Sequence, residues 1–128
     1  MQQLSRFTDH SYALLRIITG FMFAQHGLQK VFGFLTDREL PELFTQGWIG
    51  GYIELIAGLL IMVGLRTRWA AFIASGTMAV AYIQFHWKLE LGDQFFPVVN
   101  RGELAALYCF LFLFIATRGG VRWCLDNK

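Results

Sequence analysis

The sequence predicts an all-α polytopic membrane protein, an antiparallel bundle of four transmembrane helices in a single domain. Its 128 residues match the size of one domain. Hydrophobic residues make up 55% of the chain and charged residues 16%, whereas an average soluble domain has about 45–50% and about 25%. The apolar residues fall in four blocks, and a helix needs about 20 such residues to cross a bilayer. The predicted spans are 12–34, 48–65, 69–87 and 102–121.

Composition excludes several other classes of protein. Disorder is excluded because the chain is too hydrophobic and carries a net charge of only +2. Two cysteines cannot hold a disulfide scaffold together. No nucleic acid partner is expected, because eleven Lys and Arg against nine Asp and Glu leave no basic excess. A soluble helical domain would need polar outer faces, and the third block offers almost none.

Each block has the composition of a membrane span. The first carries no formal charge between Arg16 and Lys30, the second has Glu54 as its only formal charge, and the third has none. The fourth has an uninterrupted apolar centre at 104–116 and reaches span length only if it extends over 102–121.

The connections between the blocks are polar or very short. Pro41 and Pro97 both lie outside the blocks, where they cost no helical hydrogen bond. The link 66–68 is so short that the second and third helices are expected to form a tight antiparallel hairpin. All four tryptophans stand at or just beyond block ends, where amphipathic rings favour the membrane interface, at Trp48, Trp69, Trp87 and Trp123.

The distribution of basic residues predicts the orientation. With four spans, the N-terminus, the 66–68 link and the C-terminus share one side. That side carries Arg6, Arg66, Arg68, Arg118, Arg122 and Lys128, and also Arg16 if its side chain snorkels back. The other side carries Lys30, Arg38, Lys88 and Arg101. Because basic residues in short loops stay in the cytoplasm, both termini are expected to be cytoplasmic.

Glu54 is the most informative single residue. It stands at four-residue spacing between Gly50 and Gly58 on one helix face, and small residues line helix contacts in membranes. We therefore expect Glu54 to point into the bundle, with Gly50, Gly58 and Arg16 as structural residues. A carboxylate there is costly unless it is paired, hydrated or protonated. It either handles a proton or orients a ligand, or it forms a structural contact with Lys30, Arg101 or His26.

Most polar groups of the spans fall in the outer half of the membrane. Glu54 and His26, at similar depth, are the candidate catalytic pair, in which the imidazole would share a proton with the carboxylate. The candidate ligand-binding residues around them are Lys30, His86, Asn100, Arg101 and Glu103. His26, Glu54 and His86 could imitate a metal site, but no two of them have i,i+3 or i,i+4 spacing, so no metal site is expected.

Two further features leave alternatives open. Arg16 either snorkels to the cytoplasmic headgroups or forms an ion pair inside the bundle. The small-residue seams suit a homo-oligomer as well as packing within one chain.

Cys109 and Cys124 are expected at different depths and hence as reduced thiols.

The order and spacing of three segments identify the chain as resembling a known family. These are LLRIITGFMFAQHGLQKVFG, GGYIELIAGLLIMVGLRTRWAA and NRGELAALYCFLFLFIATRGG, with a Met-Ala helix between the last two. From about Leu15 to Asp126 the chain resembles the DoxX family. The family's characteristic positions fall on Arg16, Gly20, Gly27, Lys30, Glu54, Gly58, Gly64, Asn100, Glu103 and Gly119. The resemblance implies a four-helix bundle in the bacterial cytoplasmic membrane.

The resemblance also implies a link to redox chemistry. Similar proteins include the small membrane subunit of a thiosulfate:quinone oxidoreductase and partners of a membrane-associated oxidoreductase complex. This chain has no CxxC pair, haem-attachment motif or nucleotide loop, so carrying electrons would require a bound quinone or a partner subunit. The two hypotheses are a redox-system subunit that binds a quinone or a small sulfur compound, and a non-catalytic scaffold or assembly factor in which the polar cluster is structural.

Overall fold

The computed structural model describes residues 1–126, and Lys128 of the basic side lies outside them. The helices are α1 (Thr8–Phe32), α2 (Gln46–Val63), α3 (Thr67–Ala81), the single turn α4 (Pro97–Asn100) and α5 (Glu103–Arg118). A π-helical segment (Tyr82–Trp87) continues α3, and 3-10 turns cover Gln2–Phe7 and Asp93–Phe95. Residues 1–126 contain no strand, so the all-α prediction is confirmed.

Glycines end the first two long helices. Gly33 and Gly64 adopt left-handed backbone conformations, with φ of 69° and 72°, which glycine tolerates without a Cβ clash. At the start of α2 the hydroxyl of Thr45 accepts a hydrogen bond from the Trp48 amide. Because α2 ends at Val63 and α3 begins at Thr67, the two helices form the expected tight hairpin.

Adjacent long helices run in opposite directions. Along α1, Gly20 lies beside Met62 and Gly27 beside Leu55, so α2 runs against α1. Helices α3 and α5 are joined at mid-length by a 2.7 Å hydrogen bond that the Ser75 hydroxyl donates to the Cys109 carbonyl. The N-terminal part of α1, the α2–α3 link and the C-terminal segment therefore meet at one end of the molecule, because Tyr12, Arg16 and Asp126 all bond across it.

One side of α2 packs against α1 at backbone distance. A Cβ on Gly58 would lie 2.6 Å from the Ala24 nitrogen, so only glycine fits. The prediction that Gly50 also lines this contact is wrong, because a Cβ there would meet nothing within 4 Å. Eight residues of α-helix turn Gly50 about 80° away from Gly58. Gly51 takes the contact position instead, against the Lys30 side chain.

Alanine substitution should have opposite effects on stability at Gly58 and at Gly50. Gly58→Ala is expected to lower the free energy of unfolding by about 3 kcal/mol, because α1 must move away from the new methyl group. Gly50→Ala should raise it by about 1 kcal/mol, because alanine is the better helix former and open space surrounds the position. Denaturant titration of the detergent-solubilised protein measures both changes, and equal effects would contradict the packing described.

The helices are shorter than some of the predicted spans. Among residues 1–126, α2 is the one helix that is long and apolar enough to cross a membrane by length and composition. Helix α3 has 15 residues because the third block changes to π-helix at Tyr82, and α5 has 16 because it ends before Gly119. The predicted bounds 69–87 and 102–121 therefore do not describe single regular α-helices.

Candidate functional site

A lysine–glutamate pair joins α1 to α2 inside the helix packing. Lys30 Nζ lies 2.8 Å from Glu54 Oε1. The Glu54 side chain is 5% exposed and that of Lys30 is 43% exposed, so the pair extends from the interior to the surface. Of the three partners that the sequence left open for Glu54, the structure selects Lys30. Glu54 Oε2 is buried and has no hydrogen-bond partner among the described residues.

A cavity of about 300 Å³ lies beside this pair, and we call it the polar cavity. Its polar lining residues are His26, Lys30, Glu54, His86, Arg101 and Tyr108. Its apolar walls come from α1, α3, the π-helical segment and α5, including Phe23 and Phe85. The structure therefore brings together five of the seven predicted catalytic and ligand-binding residues at one cavity.

His26 does not pair with Glu54. No hydrogen bond joins the two within residues 1–126, and the imidazole is exposed. Its ring instead stands edge-on to Tyr108, with 6.3 Å between ring centroids. The expected sharing of a proton between His26 and Glu54 is thus absent from this conformation, in which the Lys30 ammonium donates to Glu54 Oε1.

Two predicted ligand-binding residues lie outside the cavity lining. Asn100 is buried, and its side chain donates to the Tyr82 hydroxyl and the Gln94 carbonyl and accepts from the Gly102 amide. These bonds use its polar atoms to shape the entry to α5, so the structure gives Asn100 a structural position. Glu103 is exposed in the first turn of α5, where a negative charge suits the helix dipole.

The π-helical segment supplies His86 to the cavity. His86 Nδ1 lies 3.2 Å from the Asn100 carbonyl oxygen, and its Cβ would be 2.8 Å from a side chain at Gly102. The close approach of Gly102 thus holds the segment against the start of α5. π-Helical turns occur frequently at functional sites.

Tyr108 is a site residue that the sequence analysis missed. It is buried among Phe23 and Phe112, and its hydroxyl has no hydrogen-bond partner among the described residues. The phenol lines the polar cavity together with Glu54. The available signal was a hydroxyl within an otherwise Phe-rich run, since a buried tyrosine usually needs a partner for its O–H.

Arg16 lies at the opposite end of α1, fully buried, and neither predicted role describes it. Its guanidinium donates to four backbone carbonyl groups, those of Ile61, Met62, Arg122 and Trp123, at 2.7–3.0 Å. It does not snorkel to the surface, and within residues 1–126 it pairs with no carboxylate. The first two carbonyls lie in the last turn of α2, where orphan acceptors and the helix dipole favour a cation.

The C-terminal segment closes this same end. Asp126 accepts hydrogen bonds from the amides of Arg66 and Thr67, at 2.6 and 2.9 Å, and so caps the N-terminus of α3. Partial burial by itself raises the pKa of Asp126, but hydrogen bonds from Thr67 and Arg66 outweigh it and hold that pKa below its usual range.

Acid should weaken this cap. Because the carboxyl of Asp126 is more acidic in the folded state, its contribution to stability is complete above the unfolded pKa of about 3.9 and disappears as the pH falls through the folded value. Asp126→Asn should remove that part of the pH dependence, and Asp126→Ala should cost about 1 kcal/mol at neutral pH. Thermal unfolding from pH 7 to pH 3 measures both, and an unchanged pH profile in Asp126→Asn would contradict the cap.

The fold and the site define a class. The chain is a small, all-helical, membrane-type protein in which a buried glutamate pairs with a lysine next to a cavity. The DoxX family model matches residues 11–87, from α1 through the π-helical segment, and the chain belongs to the DoxX family, which is membrane-associated.

Two curated relatives are similar over most of their length. An uncharacterized protein of Haemophilus influenzae is 39% identical over 137 aligned positions, covering 100% of this chain and 97% of the relative. A Bacillus subtilis protein named "Putative oxidoreductase CatD" is 30% identical over 119 positions, covering 88% of this chain and 82% of the relative. No solved structure matches the chain.

Proposed function

We propose that this protein is a membrane subunit of a redox system and binds a quinone in the polar cavity. One observation carries the proposal: Glu54 Oε2 and the Tyr108 hydroxyl are both buried without a hydrogen-bond partner in the described part of the chain, and both residues line that cavity. Buried polar atoms are nearly always hydrogen-bonded, so two such atoms on residues that line one cavity favour a ligand that bonds both.

The residues fit a quinone head group. Its flat ring suits the aromatic walls made by Phe23 and Tyr108, and its two oxygens can accept a hydrogen bond from Tyr108 and donate one to Glu54 when reduced. Lys30 holds Glu54 through Oε1, which leaves Oε2 as the atom that takes or releases a proton. A bound quinone supplies two-electron, two-proton chemistry, which neither side chain possesses.

A partner oxidoreductase subunit supplies or receives the electrons in this proposal. The chain has only two cysteines and no CxxC pair, so its own side chains offer no dithiol couple. The name of the Bacillus subtilis relative, which includes the word oxidoreductase, supports a redox setting. A small sulfur compound is the alternative ligand of the same cavity in this proposal, through the resemblance described above.

The membrane placement belongs to the proposal too: the four long helices cross the bacterial cytoplasmic membrane with both termini in the cytoplasm. Large apolar side chains are exposed on their outer faces, for example Phe72 at 61% and Phe110 at 68%. In whole cells a membrane-impermeant maleimide should label Glu39→Cys and leave Ser5→Cys unlabelled, relative to the wild-type chain. The reverse pattern would contradict the orientation.

Quinone extraction from the purified protein tests the function. Wild type should retain a stoichiometric quinone in detergent, and Glu54→Gln should lose most of it while keeping its helical circular dichroism. Glu103→Gln is the matched control, because it removes an exposed carboxylate that lines neither the cavity nor the Lys30 contact. Loss of quinone from both variants, or from neither, would count against the cavity as the binding site.

A scaffold or assembly role is the second candidate, favoured by the position of the Lys30–Glu54 pair. The pair bridges α1 and α2, as a purely structural ion pair would. On this hypothesis the purified protein carries no quinone, and Glu54→Gln lowers stability without changing any redox phenotype. Partner proteins would then co-purify with wild type and dissociate as the variant unfolds.

A further inference from the structure

A groove of about 470 Å³ between α2 and α3 adjoins the polar cavity, and we call it the glycine groove. It contains Gly50 of α2 and Gly76 of α3. The groove and the polar cavity have five lining residues in common: Lys30, Glu54, Met78, Ala81 and Phe85. The two spaces therefore lie on either side of the same few side chains.

Helix packing does not explain two of the three glycines that line the groove, Gly50 and Gly76. A Cβ on Gly50 or Gly76 would meet nothing within 4 Å, whereas one on Gly20 or Gly58 would collide with the facing backbone. Glycine weakens a helix interior relative to alanine, so an open helical glycine has a cost without a packing gain. Both positions keep the floor of the groove free of side chains.

A second, independent observation points to an occupant. Glu54 lies on the wall of the glycine groove and is only 4% exposed, yet its Oε2 atom has no hydrogen-bond partner among the described residues. Away from Glu54 and Lys30 the groove wall is largely apolar and includes Ile53 and Val80. The groove thus combines a polar end at Glu54 with an apolar floor at the glycines.

We propose that the glycine groove holds the isoprenoid tail of the quinone whose ring occupies the polar cavity. This inference rests on the proposed function and adds the tail subsite to it. Gly76 is exposed, so the groove opens on the surface of the helix pair, where lipid would lie in a membrane. The tail leaves the ring past Met78 and Phe85, which line both spaces, and lies over Gly50 and Gly76.

The charged residues that line the glycine groove, Lys30 and Glu54, favour a quinone over a phospholipid there. Lys30 is already neutralised by Glu54 Oε1, so it offers no free cation to a phosphate. The atom without a partner is a carboxylate oxygen, which accepts hydrogen bonds and repels an anion. A neutral head group with hydroxyl or carbonyl oxygens meets these conditions, and a phosphodiester does not.

Leucine substitutions fill the groove and test the tail subsite. The probes are a long-chain ubiquinone and the same ring without its tail, with binding followed by quenching of tryptophan fluorescence in detergent. Gly50→Leu and Gly76→Leu should weaken long-chain binding by about tenfold or more, because the leucine occupies the space of several methylene groups. Binding of the tail-less ring should stay within about twofold of wild type. Gly50→Ala and Gly76→Ala are the matched controls and should keep full affinity for both probes.

The outcomes separate this inference from the proposed function. If the leucine variants bind the long-chain quinone as wild type does, the tail lies elsewhere and the inference is overturned while quinone binding stands. If wild type binds neither probe, the proposed function fails. Phospholipid that co-purifies with wild type and is lost only from the leucine variants would assign the groove to lipid and overturn the inference. Thermal unfolding confirms that each variant is folded, since both positions have open space.

Discussion

Arg16→Met is expected to lower the free energy of unfolding by about 4 kcal/mol, because it leaves several buried carbonyl groups without a donor. The guanidinium serves two carbonyls at the end of α2 and two in the C-terminal segment, so its removal loosens both from α1. Arg16→Lys should recover only part of the loss, since an ammonium cannot reach four acceptors with the planar geometry of a guanidinium. Denaturant titration in detergent, followed by circular dichroism, measures the change.

Arg122→Met is the matched control for this result. Arg122 has the same charge at the same end of the molecule, but its side chain is exposed. We expect its substitution to change stability by less than about 0.5 kcal/mol. Equal effects of the two substitutions would show that net charge at this end matters and that the carbonyl contacts do not.

Lys30→Met is expected to lower the free energy of unfolding by about 3 kcal/mol, because it leaves the Glu54 carboxylate buried without its counterion. Glu54→Gln should cost less, about 1 kcal/mol, since the remaining Lys30 is half-exposed and can reach water. The two substitutions differ in cost because the Glu54 side chain is buried and the Lys30 side chain is half-exposed. The strength of the ion pair itself does not cause this difference.

The double variant completes the comparison. Lys30→Met combined with Glu54→Gln should be more stable than Lys30→Met alone, because no charge remains buried. The measurement is the same denaturant titration, applied to the wild type and the three variants as a cycle. If the double variant were as unstable as the sum of the single ones, the two side chains would not act as a pair.

These results would assign different tasks to the two ends of the molecule. One end is closed by backbone bonds from Arg16 and Asp126, and the other carries the polar cavity with the Lys30–Glu54 pair. Substitutions at the first end should change stability alone. Substitutions at the second should change both stability and ligand retention, so the double variant of the pair is expected to be more stable than Lys30→Met and still empty of quinone.

Much of the site was visible in the sequence. The four apolar blocks predicted the all-α fold, and a carboxylate isolated in such a block indicated an interior position for Glu54. Five of the seven candidate catalytic and ligand-binding residues line one cavity, because polar groups within apolar helices at similar depth are driven towards a shared interior space. Asn100 and Glu103 were placed by depth as well, but their side chains point to a loop and to the surface.

Local sequence by itself determined the helices, the glycine helix ends and the hairpin between α2 and α3, because these depend on hydrophobic periodicity and on backbone conformations of neighbouring residues. Only the tertiary structure decided which of three partners neutralises Glu54, that Gly51 rather than Gly50 packs against α1, and that Tyr108 lines the cavity. It also revealed that Arg16 binds carbonyl groups up to 107 residues away and that Asp126 caps a helix 60 residues earlier. Such contacts depend on the rotation of each helix about its axis and on the path of the C-terminal segment. The spacing of residues along the chain specifies neither of these.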